Sequence, residues 1–279
     1  MSCDDQAFVW HAHRLIWACL QDSLHRIFSP HRRFRVPFMS LRICILETDN
    51  LRPELVEQYH GYGRMFEQLF ALQPIAAELS VYNVVQGVYP AESERFDAYL
   101  VTGSKADSFG TDPWIQVLKG YLLGLYQRGE KLLGICFGHQ LLALLLGGRT
   151  ERAAQGWGVG IHHYQLASAR PWMTPGMDRL TLLISHQDQV TALPEQATVI
   201  ASSDFCPFAA YHINDQVLCF QGHPEFIHDF SRSLLELRQE ALGEQLYRQG
   251  VASLDHDHHG AIVAEWMMRF VAHRPEDRA

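Results

Sequence analysis

The sequence predicts an α/β domain built on a mostly parallel, doubly wound sheet with an additional antiparallel ribbon. Short apolar runs alternate with longer helical patterns, which favours parallel strands joined by crossover helices. Hydrophobic residues make up 47% of the 279 residues and charged residues only 19%, so a sizeable core can form. After Gly148 the apolar runs become shorter, and this change in their length indicates the antiparallel ribbon.

Strands and helices alternate through the first half of the chain. A predicted helix over 53–72 begins at Pro53, and a second over 113–128 keeps a similar apolar spacing. A third, over 140–146, ends at Gly147 and Gly148. The strands predicted around these helices are 42–46, 78–84, 97–101 and 131–135.

The second half is predicted to return to the main sheet through antiparallel strands. A final helix over 259–272 has Ile262, Val263, Trp266, Met267 and Phe270 on one face. The strands predicted before it are 159–166, 180–185, 197–202, 209–213 and 217–221.

Residues 1–38 differ in charge from the rest of the chain. They hold five arginines against three aspartates, whereas the whole chain carries a net charge of −8, so residues 39–279 carry −10. Polar residues interrupt the apolar stretch that a secretory signal peptide needs. An amphipathic arm is one interpretation. The favoured one is an over-extended reading frame, with a single domain over residues 39–279 starting at Met39.

Composition and charge exclude several classes of protein. An acidic chain is a poor candidate for nucleic-acid binding, and no apolar run reaches the roughly 20 residues of a membrane-spanning helix. Six scattered cysteines argue against a zinc ribbon or disulfide framework and favour a cytoplasmic location. The acidic and histidine-rich residues 255–259 resemble a solvated helix start, so we expect no metal ion.

The most informative segment places a cysteine between two glycines. An apolar strand leads into Gly134-Ile135-Cys136-Phe137-Gly138, and an apolar helix follows. This is the pattern of a nucleophile elbow, in which flanking glycines permit a sharp strand-to-helix turn. The helix N-terminus favours an anionic sulfur, and the backbone N–H of Phe137 is placed to stabilise an oxyanion.

A histidine and a carboxylate follow the last predicted strand. In Gly222-His223-Pro224-Glu225, the proline restricts its neighbour to extended geometry. His223 and Glu225 are two residues apart and so can share one side of an extended segment. Together with Cys136 they form a candidate relay in which His223 is the base and Glu225 orients it.

These two motifs resemble those of the class I, triad-type glutamine amidotransferases. The resemblance covers roughly residues 42–230 and implies a flavodoxin-like domain that hydrolyses a γ-glutamyl amide through a thioester on Cys136, without a cofactor. Residues 60–66 (HGYGRMF) are similar to stand-alone members of the family. The branch is also similar to the glutaminase domain of GMP synthase and to plant γ-glutamyl peptidases.

Further roles follow from the resemblance residue by residue. Gly103, in a loop after a predicted strand, would supply a second oxyanion-hole N–H, although Thr-Gly-Ser departs from the family's frequent Gly-Gly-Pro. Gln140 would hold the substrate. Ser185 and His186, in a segment similar to Ser-His-x-Asp-x-Val, would line the pocket for its α-carboxylate and amine; an ordinary polar turn is the alternative there.

Three functions remain open at this point. The first is hydrolysis of glutamine or a γ-glutamyl small molecule, with any ammonia passed to a separate synthase, because only 54 residues follow Glu225. The second is a γ-glutamyl peptidase, and the third is a low-turnover regulatory subunit with the same fold.

Overall fold

The computed structural model describes residues 40–167 and 169–273, so the predicted extension over 1–38 lies outside the described residues. Its strands all fall between Leu41 and Phe220. They are β1 (Leu41–Glu47), β2 (Ala77–Asn83), β3 (Ala98–Val101), β4 (Leu132–Ile135), β5 (Arg149–Arg152), β6 (Gly158–Leu166), β7 (Arg179–His186), β8 (Asp188–Ala192), β9 (Ala197–Ser202), β10 (Ala210–Ile213) and β11 (Val217–Phe220).

The helices flank and follow these strands. A 3₁₀ turn, Val84–Gln86, comes directly after β2. The α-helices of the described ranges are α1 (Pro53–Tyr59), α2 (Tyr62–Ala71), α3 (Pro113–Gln127), α4 (Phe137–Leu145), α5 (His228–Leu237), α6 (Gln239–Leu242), α7 (Glu244–Ser253) and α8 (Gly260–Ala272). Within the same ranges, no helix is long and apolar enough to cross a membrane.

A nine-stranded mixed sheet organises the domain, in the order β2-β1-β3-β4-β11-β10-β9-β6-β7. The first five strands are parallel, in a flavodoxin-like order, and the remaining four extend the sheet in antiparallel pairs. Helices α2 and α8 cover one face, and α3 and α4 cover the other. The α/β, mostly parallel fold predicted from the sequence is therefore confirmed.

The single helix predicted over 53–72 is wrong in one respect: it is two helices. His60 has a φ of 62° and stops α1. The carboxylate of Glu47, at the end of β1, then accepts a hydrogen bond from the N–H of Gly63 (3.0 Å) at the start of α2. A Cβ at Gly61 would lie 2.9 Å from that carboxylate, so glycine permits the close approach.

The predicted strands and helices omit two sets of elements. Strands β5 and β8 pair with each other in a separate two-stranded ribbon. Helices α5–α7 follow the last strand and cover the β6–β7 end of the sheet, where α7 packs on β6. The sequence prediction assigned no element to these residues, although Phe230, Leu234, Leu235 and Leu237 give α5 an amphipathic spacing.

The candidate site lies at the edge of the sheet where the parallel strands end. The loops that follow β1, β3, β4 and β11 lie at the carboxyl edge of the parallel strands, where ligands bind in open α/β sheets. An isolated bridge between Leu183 and His223 brings β7 beside the loop after β11. The β7–β8 connection therefore reaches the same edge.

Candidate active site

The candidate nucleophile lies in a sharp turn between a buried strand and a helix. Cys136 follows β4 and precedes α4, with φ 49° and ψ −98°, a conformation that a non-glycine residue keeps only when its surroundings hold it. A Cβ at Gly134 would lie 2.8 Å from the Gly138 carbonyl carbon, and one at Gly138 would meet the carbonyl oxygen of Val101. Both glycines are therefore required by close backbone packing around the elbow.

His223 and Glu225 lie in the loop after β11, beside this thiol. Nδ1 of His223 is 2.8 Å from Oε1 of Glu225, and both side chains are almost fully buried. The N–H of His223 donates to the carbonyl of Leu183 (2.8 Å), which fixes the loop to β7. A Cβ at Gly103 would lie 2.7 Å from Cε1 of His223 and 3.5 Å from Cβ of Cys136, so the imidazole and the thiol meet beside the Gly103 loop.

The electrostatics of this cluster favour a charged imidazole. Burial is the largest single effect and lowers the pKa of His223. The charges of Glu225 and Cys136, with the hydrogen bond to Glu225, outweigh it and raise the pKa above its usual value. With Nδ1–H directed at Glu225, Nε2 is the nitrogen that can exchange a proton with a reacting group.

Aromatic rings form a wall behind the imidazole. Phe226 stacks on His223 with ring centroids 3.8 Å apart and planes 12° apart. Tyr62 stacks on Phe226 (6.5 Å), and Phe230 packs edge-on against it (4.6 Å). This wall limits rotation of the imidazole and excludes water from one of its faces.

The Gly103 loop is anchored by its carbonyl groups. The hydroxyl of Thr48 lies 3.0 Å from the Thr102 carbonyl and 2.9 Å from the Gly103 carbonyl. The N–H of Gly138 also donates to the Thr102 carbonyl (3.2 Å). In a trans peptide the N–H points opposite to the C=O, so the N–H of Gly103 is turned away from Thr48. Across the described ranges, neither this N–H nor that of Phe137 donates to a backbone carbonyl.

Gln140 lies on the cleft wall next to the elbow. Its Nε2 donates to the Asp188 carbonyl (2.8 Å) and to Oε1 of Gln221 (3.2 Å). The two amide hydrogens are thus engaged inside the protein. A substrate can reach Gln140 only through the remaining Oε1, as a hydrogen-bond acceptor.

Ser185 and His186 end strand β7 and line the same cleft as Cys136. Nδ1 of His186 is 3.0 Å from the Asp188 carbonyl, which can only accept, so Nδ1 carries the proton. Burial lowers the pKa of His186 to about 3, and the imidazole is neutral. Its buried Nε2 has no partner among the described residues and can accept a hydrogen bond.

The cleft that joins these groups has a volume of about 260 Å³ and is rich in charge. Arg152 forms ion pairs with Asp188 (2.7 Å) and Asp107 (3.0 Å), and Lys105 pairs with Asp49 (2.9 Å). Arg52 and Arg238 also line it. Nowhere in the described ranges do three or more histidine, cysteine, aspartate or glutamate side chains form a group that could hold a metal ion.

The structure brings every residue singled out from the sequence to this edge of the sheet. Sequence reasoning missed the cleft arginines and Trp157, because they come from three separate segments. Sequence reasoning also gave no role to Phe226, although a local signal was present. Phe226 directly follows the His-Pro-Glu motif, and an aromatic side chain so close to a histidine can stack on the imidazole.

Known proteins of similar sequence include glutamine amidotransferases and γ-glutamyl peptidases. The family model "Glutamine amidotransferase class-I" matches residues 112–237. Gamma-glutamyl peptidase 3 of Arabidopsis thaliana is 31% identical over 202 residues, which cover 70% of this chain and 79% of that protein. A glutamine-hydrolysing GMP synthase of Streptococcus equi is 29% identical over 182 residues, 60% of this chain and 32% of the relative.

Solved structures show the same fold. A glutamine amidotransferase of Thermotoga maritima superposes with a TM-score of 0.68 at 17% sequence identity. The match covers 83% of this chain and 98% of that one.

Proposed function

This chain belongs to the class I glutamine amidotransferase family and is a hydrolase of that type, and from that premise we propose that it cleaves γ-glutamyl amide bonds through a thioester on Cys136. One observation supports this proposal, the arrangement of Cys136, His223 and Glu225. A cysteine in a strained elbow lies beside a buried imidazole that is held at 2.8 Å by a carboxylate. That arrangement has the parts that acyl transfer needs.

Acylation begins with attack of Cys136 Sγ on the γ-carbonyl carbon. The carbonyl oxygen becomes an oxyanion between the N–H groups of Gly103 and Phe137, which have no backbone acceptor in the described part of the chain. His223, protonated on Nε2, gives its proton to the nitrogen of the leaving group as the carbon–nitrogen bond breaks. The products of this step are a γ-glutamyl thioester and ammonia or an amine.

Deacylation uses the same groups in reverse. Neutral His223 takes a proton from water as the oxygen attacks the thioester carbon, and the oxyanion forms again at the same N–H groups. The carbon–sulfur bond breaks, glutamate leaves, and Cys136 and His223 return to their initial charge state. Glu225 keeps the Nδ1–H tautomer throughout, and Phe226 holds the ring plane.

Substrate recognition follows from the cleft wall. Oε1 of Gln140 and the unpartnered Nε2 of His186 are acceptors for the α-ammonium of the γ-glutamyl group. Ser185 faces the same space and supplies a hydroxyl for the α-carboxylate. The acyl half of the substrate therefore lies between α4 and the end of β7.

The two possible products imply different partners. Ammonia from glutamine requires a separate synthase chain that consumes it. An amine or amino acid from a γ-glutamyl peptide requires none. A regulatory subunit without turnover has no use for the complete cluster of Cys136, His223 and Glu225.

A substrate comparison tests the proposal. We expect the full chain to release ammonia from glutamine, or an amino acid from γ-glutamyl dipeptides, and Cys136→Ala to release neither. Cys44→Ala is a matched control, because Cys44 is a fully buried thiol of β1 with no proposed role. If Cys136→Ala kept the activity of the unchanged chain, the thioester mechanism would be wrong.

A further inference from the structure

The guanidinium of Arg152 connects separate segments of the cleft lining. Arg152 ends strand β5, and its Nη2 lies 3.0 Å from Oδ1 of Asp107, in the connection between β3 and α3 that also carries Gly103. Its Nε lies 2.7 Å from Oδ1 of Asp188, at the start of β8. Its Nη1 donates to the side-chain carbonyl of Gln187. One side chain therefore links the Gly103 loop to the β7–β8 connection.

Asp188 extends this link to the groups proposed to accept hydrogen bonds from the α-ammonium of the substrate. Its backbone carbonyl accepts a hydrogen bond from Nε2 of Gln140 (2.8 Å) and lies 3.0 Å from Nδ1 of His186. Each contact engages one polar end of the side chain, so Oε1 of Gln140 and Nε2 of His186 are the atoms left for a substrate. The position of these acceptors therefore depends on the position of Asp188.

The carboxylates of Asp107 and Asp188 are close enough to repel each other, and Arg152 offsets this repulsion. The side chain of Asp188 is 9% exposed. Burial and the neighbouring Asp107 raise the pKa of Asp188 above its usual value, whereas Arg152 lowers it. Arginine suits this position because its planar fork can donate to several acceptors at once, which the compact ammonium of a lysine cannot do in the same fixed geometry.

A role in folding stability does not account for this arrangement. The side chain of Arg152 is 53% exposed and that of Asp107 is 43% exposed, and ion pairs at such exposure contribute about 0–1 kcal/mol to stability. The segments that Arg152 joins carry Gly103 of the proposed oxyanion hole and Asp188. Loss of Arg152 should therefore alter the geometry of the cleft more than the stability of the fold.

We propose that Arg152 is a positioning residue that holds the Gly103 loop and Asp188 at a fixed separation, so that the oxyanion hole and the α-ammonium acceptors engage one substrate together. The proposal rests on the hydrolysis proposed above and adds a residue that acts through Asp107 and Asp188. The two links have different consequences. The link to Asp107 acts on kcat through the N–H of Gly103, and the link to Asp188 acts on KM through the substrate acceptors.

Steady-state kinetics of Arg152→Gln test both links, with whichever of glutamine and γ-glutamylalanine the unchanged chain hydrolyses faster. We expect kcat to fall about tenfold and KM to rise about tenfold, because displaced oxyanion donors slow the chemical step and displaced acceptors weaken binding. Arg152→Lys should restore part of both losses, since a lysine can pair with either carboxylate. Asp107→Asn should lower kcat and leave KM unchanged, and in the Arg152→Gln background it should lower kcat no further.

Arg149→Gln is the matched control on the same strand. Arg149 lies outside the cleft lining, where its Nε is 3.4 Å from a carboxylate oxygen of Glu151 and 3.2 Å from the hydroxyl of Thr191. This variant should keep the kcat and KM of the unchanged chain. Unchanged constants in Arg152→Gln, or a loss that matches the fraction of unfolded protein in thermal unfolding, would overturn the proposal. A full additional loss of kcat from Asp107→Asn in the Arg152→Gln background would overturn it as well.

Binding separates this proposal from the reaction itself. Calorimetry with γ-glutamylalanine on Cys136→Ala should show a Kd that rises about tenfold when Arg152→Gln is added, in parallel with KM. If the unchanged chain hydrolysed neither compound but this weakening appeared, the proposed reaction would fail and the positioning role would stand. If the added Arg152→Gln bound γ-glutamylalanine no more weakly than its parent, the positioning role would fail whatever the activity.

Discussion

Substitution of Gly103 by alanine is a sharp test of the site, because the structure gives the size of the disturbance. The added Cβ would lie 2.7 Å from Cε1 of His223, whereas ordinary contact begins at 3.4 Å. The imidazole must therefore retreat by about 0.7 Å, or the loop must shift by as much. Phe226, stacked at 3.8 Å on one face of the ring, restricts that retreat.

A displacement of this size has a large expected cost. Misplacing a catalytic group by about 1 Å lowers the rate roughly 10²-fold, which corresponds to about 2.7 kcal/mol of transition-state stabilisation. We expect Gly103→Ala to lose activity mainly in kcat, because the acyl side of the cleft is unchanged. The assay is steady-state hydrolysis of γ-glutamylalanine, with thermal unfolding to confirm the fold.

Gly120→Ala is the matched control for this prediction. Gly120 lies in α3, and a Cβ there would meet nothing within 4 Å. The control should keep full activity and gain about 0.5–1 kcal/mol of stability from the better helix former. A folded Gly103→Ala protein with unchanged kcat would refute the packing of the oxyanion loop against His223.

Three more variants extend the test to the imidazole and its surroundings. Glu225→Gln should lower kcat about 10³- to 10⁴-fold. Its negative charge raises the pKa of His223, so its loss should move the alkaline limb of the pH–rate profile to lower pH; an unmoved limb would contradict this. Phe226→Leu keeps a buried apolar side chain and should lower kcat about tenfold with KM unchanged, whereas an unchanged kcat would exclude a positioning role. Burial lowers the pKa of His186 to about 3, so protonation of the unfolded chain destabilises the fold as pH falls below about 6.5. Denaturant titrations at pH 7 and pH 5 should show that His186→Gln removes up to about 2 kcal/mol of this acid-induced loss, and equal losses in both proteins would count against it.

The sequence was most informative where local chemistry and fold coincide. Gly134, Cys136 and Gly138 form a contiguous pattern, and the backbone contacts at both glycines explain why that pattern specifies an elbow. The same holds for His223 and Glu225, two residues apart, whose side chains contact each other directly. In short motifs of this kind, the residues that determine the local geometry are close together in the sequence.

The remaining features depend on contacts between distant segments. Arg52, Trp157 and Arg238 meet at one cleft only after the sheet and α5 are in place. The break at His60 depends on Glu47, which is remote in sequence from the start of α2. No periodicity in either segment reports such a contact, since the partner lies outside the window in which a pattern is read.

Direct detection of the covalent intermediate tests the central claim, the γ-glutamyl thioester on Cys136. Protein quenched in acid during turnover of γ-glutamylalanine, digested and analysed by mass spectrometry, should show one glutamyl group on the peptide that contains Cys136. The group should be absent from Cys136→Ala and should accumulate if water attack is slowed. Turnover by Cys136→Ala, or a glutamyl group on another residue, would contradict the account.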